Sequence, residues 1–171
     1  MERKLKYIAF ASIAVIVLTC GFLALPGQFV LPVEYPTLEG LSGYQFFFHL
    51  GGEVYDAKTS AAHVSGLGIA TIVLMAIALC SYIFSKKSSA LVLLGGLVNV
   101  ATAICFFSME ASKARVYGAG RSFVAIGWVA YVAGALLILT GLLSIYFAFR
   151  SFMVEKKEIT NRRESYSYLK K

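Results

Sequence analysis

The chain has 171 residues, of which 58% are hydrophobic and only 15% charged, the composition of an integral membrane protein rather than of a soluble domain. Its formal net charge of +7 does not point to nucleic acid, because the basic residues cluster at the ends of apolar runs and form no stripe interleaved with aromatics. Cys20, Cys80 and Cys105 all lie inside apolar runs, where a thiol behaves as a small apolar side chain and not as half of a loop-stapling disulfide.

A short basic head, Met1 to Lys6, precedes a first transmembrane helix expected over 7–25, which Pro26-Gly27 ends. Residues 26–64 follow as a long loop holding all three prolines, with Glu34, Glu39, Glu53 and Asp56 against a lone Lys58. In its middle, Tyr44, Phe46, Phe48 and Leu50 alternate with Gln45, Phe47 and His49 between flanking glycines, a strand pattern. Residues 29–33 are the expected partner strand, giving a β-hairpin whose aromatic face rests on the helix ends or on another protein.

The second helix is expected over 65–84 and the third over 89–109, antiparallel neighbours joined by the turn Ser85-Lys86-Lys87-Ser88. Gly95, Asn99 and Thr102 share one face of the third helix. Asn99 is the most polar side chain near any helix centre, and in apolar surroundings its amide needs hydrogen-bond partners, so an interhelical bond is expected there. A second reading makes Asn99, Thr102 and Thr140 the lining of a solute path.

Residues 110–121 connect to a fourth helix expected over 122–149, in a stretch free of charge from Arg121 to Arg150. Gly127, Gly134 and Gly141 recur every seven residues within it, Gly120 extends the series, and Ala130 and Ser144 lie near the same line. Small residues on a heptad seam let a neighbouring backbone approach, which is how helices associate in lipid. A charged tail over 150–171 is expected to prolong the fourth helix and then fray.

With four spans both termini share a side. That side collects twelve of the 16 Lys and Arg residues, which places both termini in the cytoplasm and both larger loops outside. The first outer loop is acidic and the second basic, so the two are expected to approach, with Arg115 or Arg121 meeting an acidic group.

No nucleophile elbow, Cys-x-x-Cys, HExxH or phosphate-loop pattern is present, and no ionisable residue falls near a helix centre. His49, Glu53, Asp56 and His63 on the first outer loop could bind a transition metal, but the strand-and-glycine pattern there does not put His49 and Glu53 on one helix face. No catalytic residue and no cofactor is expected.

The layout of basic head, first helix, long loop with Ser42-Gly43-Tyr44-Gln45-Phe46-Phe47-Phe48 and three Gly- and Ala-rich helices resembles small four-helix membrane proteins of Gram-positive bacteria and mollicutes. That resemblance implies a layout and no particular activity. Residues 118–143, with Gly127-Trp128, Gly134 and Gly141, are similar to the last helix of claudin-type tetraspan proteins. The Trp-Gly-Leu-Trp and paired-Cys signature of the claudin first loop is missing, so this resemblance implies only architecture: a left-handed four-helix bundle capped by a small outer sheet.

Together these readings predict a single all-α membrane domain, a four-transmembrane-helix bundle with a small extracellular β-hairpin. Its expected role is a non-catalytic accessory or scaffold subunit of the cell membrane. It would contact a membrane or extracellular protein through Tyr44, Phe46, Phe47, Phe48 and Leu50. The alternatives are an oligomeric channel or small-solute carrier, and a membrane enzyme or metal-binding protein.

Overall fold

A computed structural model describes residues 2–25, 30–32, 42–44, 66–116 and 124–169. Among them are four long helices, α1 (Glu2–Ala24), α2 (Gly66–Ile83), α3 (Ser89–Val116) and α4 (Trp128–Leu169), and two short strands, β1 (Val30–Pro32) and β2 (Val124–Ile126). All four helices are long and apolar enough to cross a membrane.

Each helix buries residues at alternating intervals of three and four. Ala9, Ser12, Ile16, Thr19 and Leu23 do so on α1, and Thr71, Met75, Ala78 and Tyr82 on α2. Val92, Gly95, Asn99, Thr102 and Phe106 form the seam of α3, and Ala130, Gly134, Leu137, Gly141, Ser144 and Ala148 that of α4. This is the spacing that keeps one line of a helix against its neighbours. The opposite faces are not polar but apolar and exposed: Phe10 and Val17, Ile69 and Val73, Leu97 and Ile104, Leu139 and Leu142. Helices that are apolar all round with polar groups inside are suited to lipid.

Chain neighbours are spatial neighbours. α3 packs most extensively on α4, then α2 on α3, and α4 closes the bundle against α1. The α2–α3 connection is short because Phe84–Lys87 tightens into a 3-10 turn. Ser88 then starts α3, its hydroxyl accepting the Ala90 N–H at 3.2 Å as an N-cap does.

The loops differ from expectation. In place of a hairpin within the first loop, β1 pairs antiparallel with β2, with Val30 opposite Ile126, Leu31 opposite Ala125 and Pro32 opposite Val124. Tyr44, expected to begin the second strand, and the flanking Gly43 have helical backbone, and residues 45–50 lie outside the described residues. The first loop does meet the segment just before α4, through the main-chain pairing of β1 with β2. The side chains of Arg115 and Arg121 are outside the described set, as are the acidic residues of the first loop.

The fourth helix is the other correction. Residues 124–126 belong to β2, not to the helix, which begins at Trp128 with the Gly127 carbonyl accepting the Ala130 N–H at 3.0 Å. At its far end α4 runs through the charged tail to Leu169, so its 42 residues extend about 63 Å, about twice a bilayer's hydrocarbon thickness. α3 likewise continues past residue 109 to Val116.

Candidate functional site

The polar residues of the helices fall into two groups. Most hydroxyls bond back to the carbonyl four residues earlier on their own helix: Thr19 to Val15, Thr71 to Leu67, Ser81 to Ile77 and Thr102 to Val98, each at 2.8 Å. That geometry satisfies a hydroxyl where no water is at hand.

The second group joins all four helices. The Tyr82 hydroxyl on α2 donates to Ser144 Oγ on α4 at 3.0 Å. Asn99 Nδ2 on α3 donates to the Tyr82 hydroxyl at 3.3 Å and to Thr140 Oγ1 on α4 at 3.4 Å. Ser12 Oγ on α1 lies 3.4 Å from Ser144 Oγ. Thr140 and Ser144 in turn donate to the carbonyls of Leu136 and Thr140. The donors of Tyr82, Asn99, Thr140 and Ser144 thus all find acceptors, while Asn99 Oδ1 has no hydrogen-bond partner among the described residues. Ser12, Asn99 and Ser144 are fully buried. Ser144 and Ser12 each lie six residues, about 9 Å along their helices, from Arg150 and Lys6, so the cluster sits toward the bundle end that carries the basic turn.

Tyr82 reaches across the bundle because Gly95 makes room for it. A Cβ on Gly95 would lie 2.8–3.0 Å from three atoms of the Tyr82 ring. One turn of α3 therefore supplies the space for the phenol and, at Asn99, a donor to its oxygen.

The glycine seam of α4 packs within the bundle. A Cβ on Gly141 would lie 2.8 Å from the Gly96 carbonyl oxygen, and one on Gly96 would lie 2.7 Å from that of Gly141. At this crossing α3 and α4 meet backbone to backbone. Higher on α4, Gly134 faces the Phe107 ring, whose tip would be 2.6 Å from an added Cβ. Phe107 is also stacked on Tyr131, ring centroids 5.9 Å apart. Ala130 is fully buried and Gly127 is buried at the start of α4, whereas Gly120 lies outside the described residues.

The structure thus brings together Asn99 and Thr140 but leaves Thr102 bonded to its own helix. Sequence reasoning missed Gly96, Tyr82 and Ser12. Gly96 was one position from the singled-out Gly95. A tyrosine in an apolar helix was itself a signal, since its hydroxyl needs a partner.

Of the expected partner-contact residues only Tyr44 is described. Its hydroxyl donates to the Cys20 carbonyl on α1 at 3.2 Å, and its ring packs against the core. Partial burial, with Cys20 beside it, pushes the Tyr44 phenol above its ordinary range. Phe46, Phe47, Phe48 and Leu50 lie outside the described residues, as do His49, Glu53 and His63. Among the described residues no three His, Cys, Asp or Glu side chains come together as metal ligands would.

No protein-family model matches the chain, and no curated protein matches it.

Proposed function

We propose that this four-helix membrane protein is a non-catalytic accessory or scaffold subunit that holds a membrane or extracellular protein partner through its first loop. The observation behind this reading is the interior of the bundle. Its central polar side chains bond to one another and α3 and α4 cross backbone on backbone, an arrangement suited to holding a shape. The ladder between β1 and β2 fits the same role, since it fastens the base of the long loop to the entry of α4. Tyr44 tethers the aromatic run to α1, leaving Phe46, Phe47, Phe48 and Leu50 as the contact residues.

In this reading both termini are cytoplasmic, with twelve of the 16 basic residues on that side. The extension of α4 beyond Arg150 then stands in the cytoplasm as a charged helical arm.

The test is purification of the full chain in a mild detergent, with mass determination and identification of what accompanies it. A stoichiometric membrane partner that is lost when Phe46, Phe47 and Phe48 become Ala supports the reading. A lone monomer overturns it. So does a homo-oligomer without a partner, which instead directs attention to solute flux.

A further inference from the structure

A groove of about 430 Å³ opens on the outside of the bundle between α2 and α3, lined by Val73, Ala76, Ile77, Cys80, Ser81, Phe84 and Leu91. The α2 residues among them recur at intervals of three and four, so they form one continuous stripe. Ala76 and Cys80 are small and exposed and make its floor; Val73, Ile77 and Phe84 are bulky, and Leu91 contributes from α3. The lining is almost wholly apolar.

Two properties of this groove select its occupant. From Val73 to Phe84 it runs eleven residues, about 16 Å, close to half of a bilayer's roughly 30 Å hydrocarbon core. It is therefore about one leaflet deep, the length of a single acyl chain. Its end at Phe84 opens directly into the turn that carries Lys86 and Lys87, so an apolar slot meets two cationic residues at the depth where a lipid headgroup sits.

We propose that this groove binds an anionic phospholipid, with an acyl chain along Val73–Phe84 and the phosphate at the Lys86-Lys87 turn. The site depends on neither the accessory role nor the leaflet that the turn faces. Apolar contact along the groove holds either a zwitterionic or an anionic lipid, and the lysines supply the preference for negative charge.

The full chain, purified in detergent, is titrated with phosphatidylglycerol or phosphatidylcholine carrying identical acyl chains, and bound lipids are counted by native mass spectrometry. The first phosphatidylglycerol should bind more tightly than the first phosphatidylcholine by on the order of tenfold. Lys86→Gln with Lys87→Gln should remove that preference while leaving phosphatidylcholine binding unchanged. Ala76→Leu with Cys80→Leu, which fills the floor at exposed positions, should weaken both lipids. Equal affinity for the two headgroups in the native chain overturns the proposal. So does a preference that survives the lysine substitutions but falls in Lys156→Gln with Lys157→Gln, which would move the site to the α4 arm. A native dimer that the groove-filling pair converts to monomer also overturns it, since a second copy would then be the occupant.

Discussion

The sharpest consequence of the bundle geometry concerns Gly141. In an exposed helix, Gly→Ala is favourable by about 1 kcal/mol, because glycine loses more backbone freedom on folding. At Gly141 the added methyl carbon meets the Gly96 carbonyl oxygen at 2.8 Å and Val100 Cγ2 at 2.9 Å. A carbonyl oxygen cannot move without its helix, so α3 and α4 must separate. Overpacking of this kind costs about 1–3 kcal/mol, and separation also strains the Asn99–Thr140 bond across the same interface. Gly141→Ala should therefore destabilise the protein by roughly 1–2 kcal/mol net, with the gain in propensity set against the clash.

Three companion substitutions sharpen the test. Gly21 has no atom within 4 Å of an added Cβ, so Gly21→Ala should be neutral or stabilising. Gly134→Ala meets only the tip of the Phe107 ring, which is 37% exposed and can rotate away, so it should cost less than Gly141→Ala. Gly96→Ala creates the reciprocal clash. Once either methyl has forced the helices apart the second meets less resistance, so the double variant should fall short of additivity by about 0.5–2 kcal/mol. The assay is equilibrium unfolding in mixed micelles of increasing denaturing-detergent fraction, followed by circular dichroism. If Gly141→Ala is as stable as Gly21→Ala, or if Gly96→Ala and Gly141→Ala add fully, the backbone contact between α3 and α4 is not what holds them.

Tyr82→Phe removes a hydroxyl that donates to Ser144 and accepts from Asn99, and should cost about 0.6–1.7 kcal/mol in the same assay; it should also lessen the further effect of Ser144→Ala, and full additivity of the two would refute a shared network. Leu31→Cys with Ala125→Cys, in a chain freed of its three native cysteines, should form an intramolecular disulfide. Facing residues of an antiparallel pair lie about 4.5–5.5 Å apart at Cα, within disulfide reach; absence of the crosslink under oxidation, while Leu31→Cys with Gly127→Cys forms one, would shift the register. The raised Tyr44 phenol makes a pH prediction: the folded-state pKa exceeds the unfolded one, so the stabilisation is complete below the unfolded value near 10 and is lost as pH rises through the folded one. Alkaline titration of phenolate absorbance should show a late-titrating fraction that shrinks by one tyrosine in Tyr44→Phe, and no difference between the two proteins would refute the tether.

The four spans were legible because length and continuous apolarity suffice to mark a transmembrane helix. Gly134 and Gly141 were legible because small residues repeated every seven positions line one side of a helix, and in lipid such a line serves close approach of a neighbour. Asn99 was legible because an amide inside an apolar helix must find a partner, and it finds two. The partners themselves were not legible: Tyr82 lies seventeen residues away, Thr140 forty-one, and no local pattern joins them. The β2 segment was misassigned for a related reason. Val124–Ile126 is an apolar run continuous with the helix that follows, and a three-residue strand has no periodicity to distinguish it. Its conformation is set by β1, a partner remote in the chain. The charged tail shows the reverse case, where Glu, Lys and Arg are good helix formers and a helix already nucleated in α4 continues through them.

Two kinds of device, glycine contacts and an amide's hydrogen bonds, fix the bundle, and they meet on three residues within the stretch Gly95–Asn99 of α3. Lipid is as apolar as the faces the helices bury, so apolar burial gives them no reason to choose one another. The Gly96–Gly141 contact sets how close α3 and α4 come, but a smooth backbone contact tolerates sliding along the helix axis. The Asn99 amide resists sliding: one donor meets Thr140 on α4 while the other meets Tyr82 on α2, and moving α4 by a turn would break the first of these bonds together with the Tyr82–Ser144 bond. Gly95 brings in the second helix, since only its bare Cα lets the Tyr82 ring lie flat enough for the phenol to reach Ser144. Spacing comes from Gly96, register from Asn99, and the tie from α2 to α4 from Gly95. Replacing Asn99 by Leu should therefore affect uniqueness more than affinity between helices. A bundle of near-native helicity that shows more than one crosslinking register between α3 and α4 would be the signature, and a single native register in that variant would assign the alignment to the glycines alone.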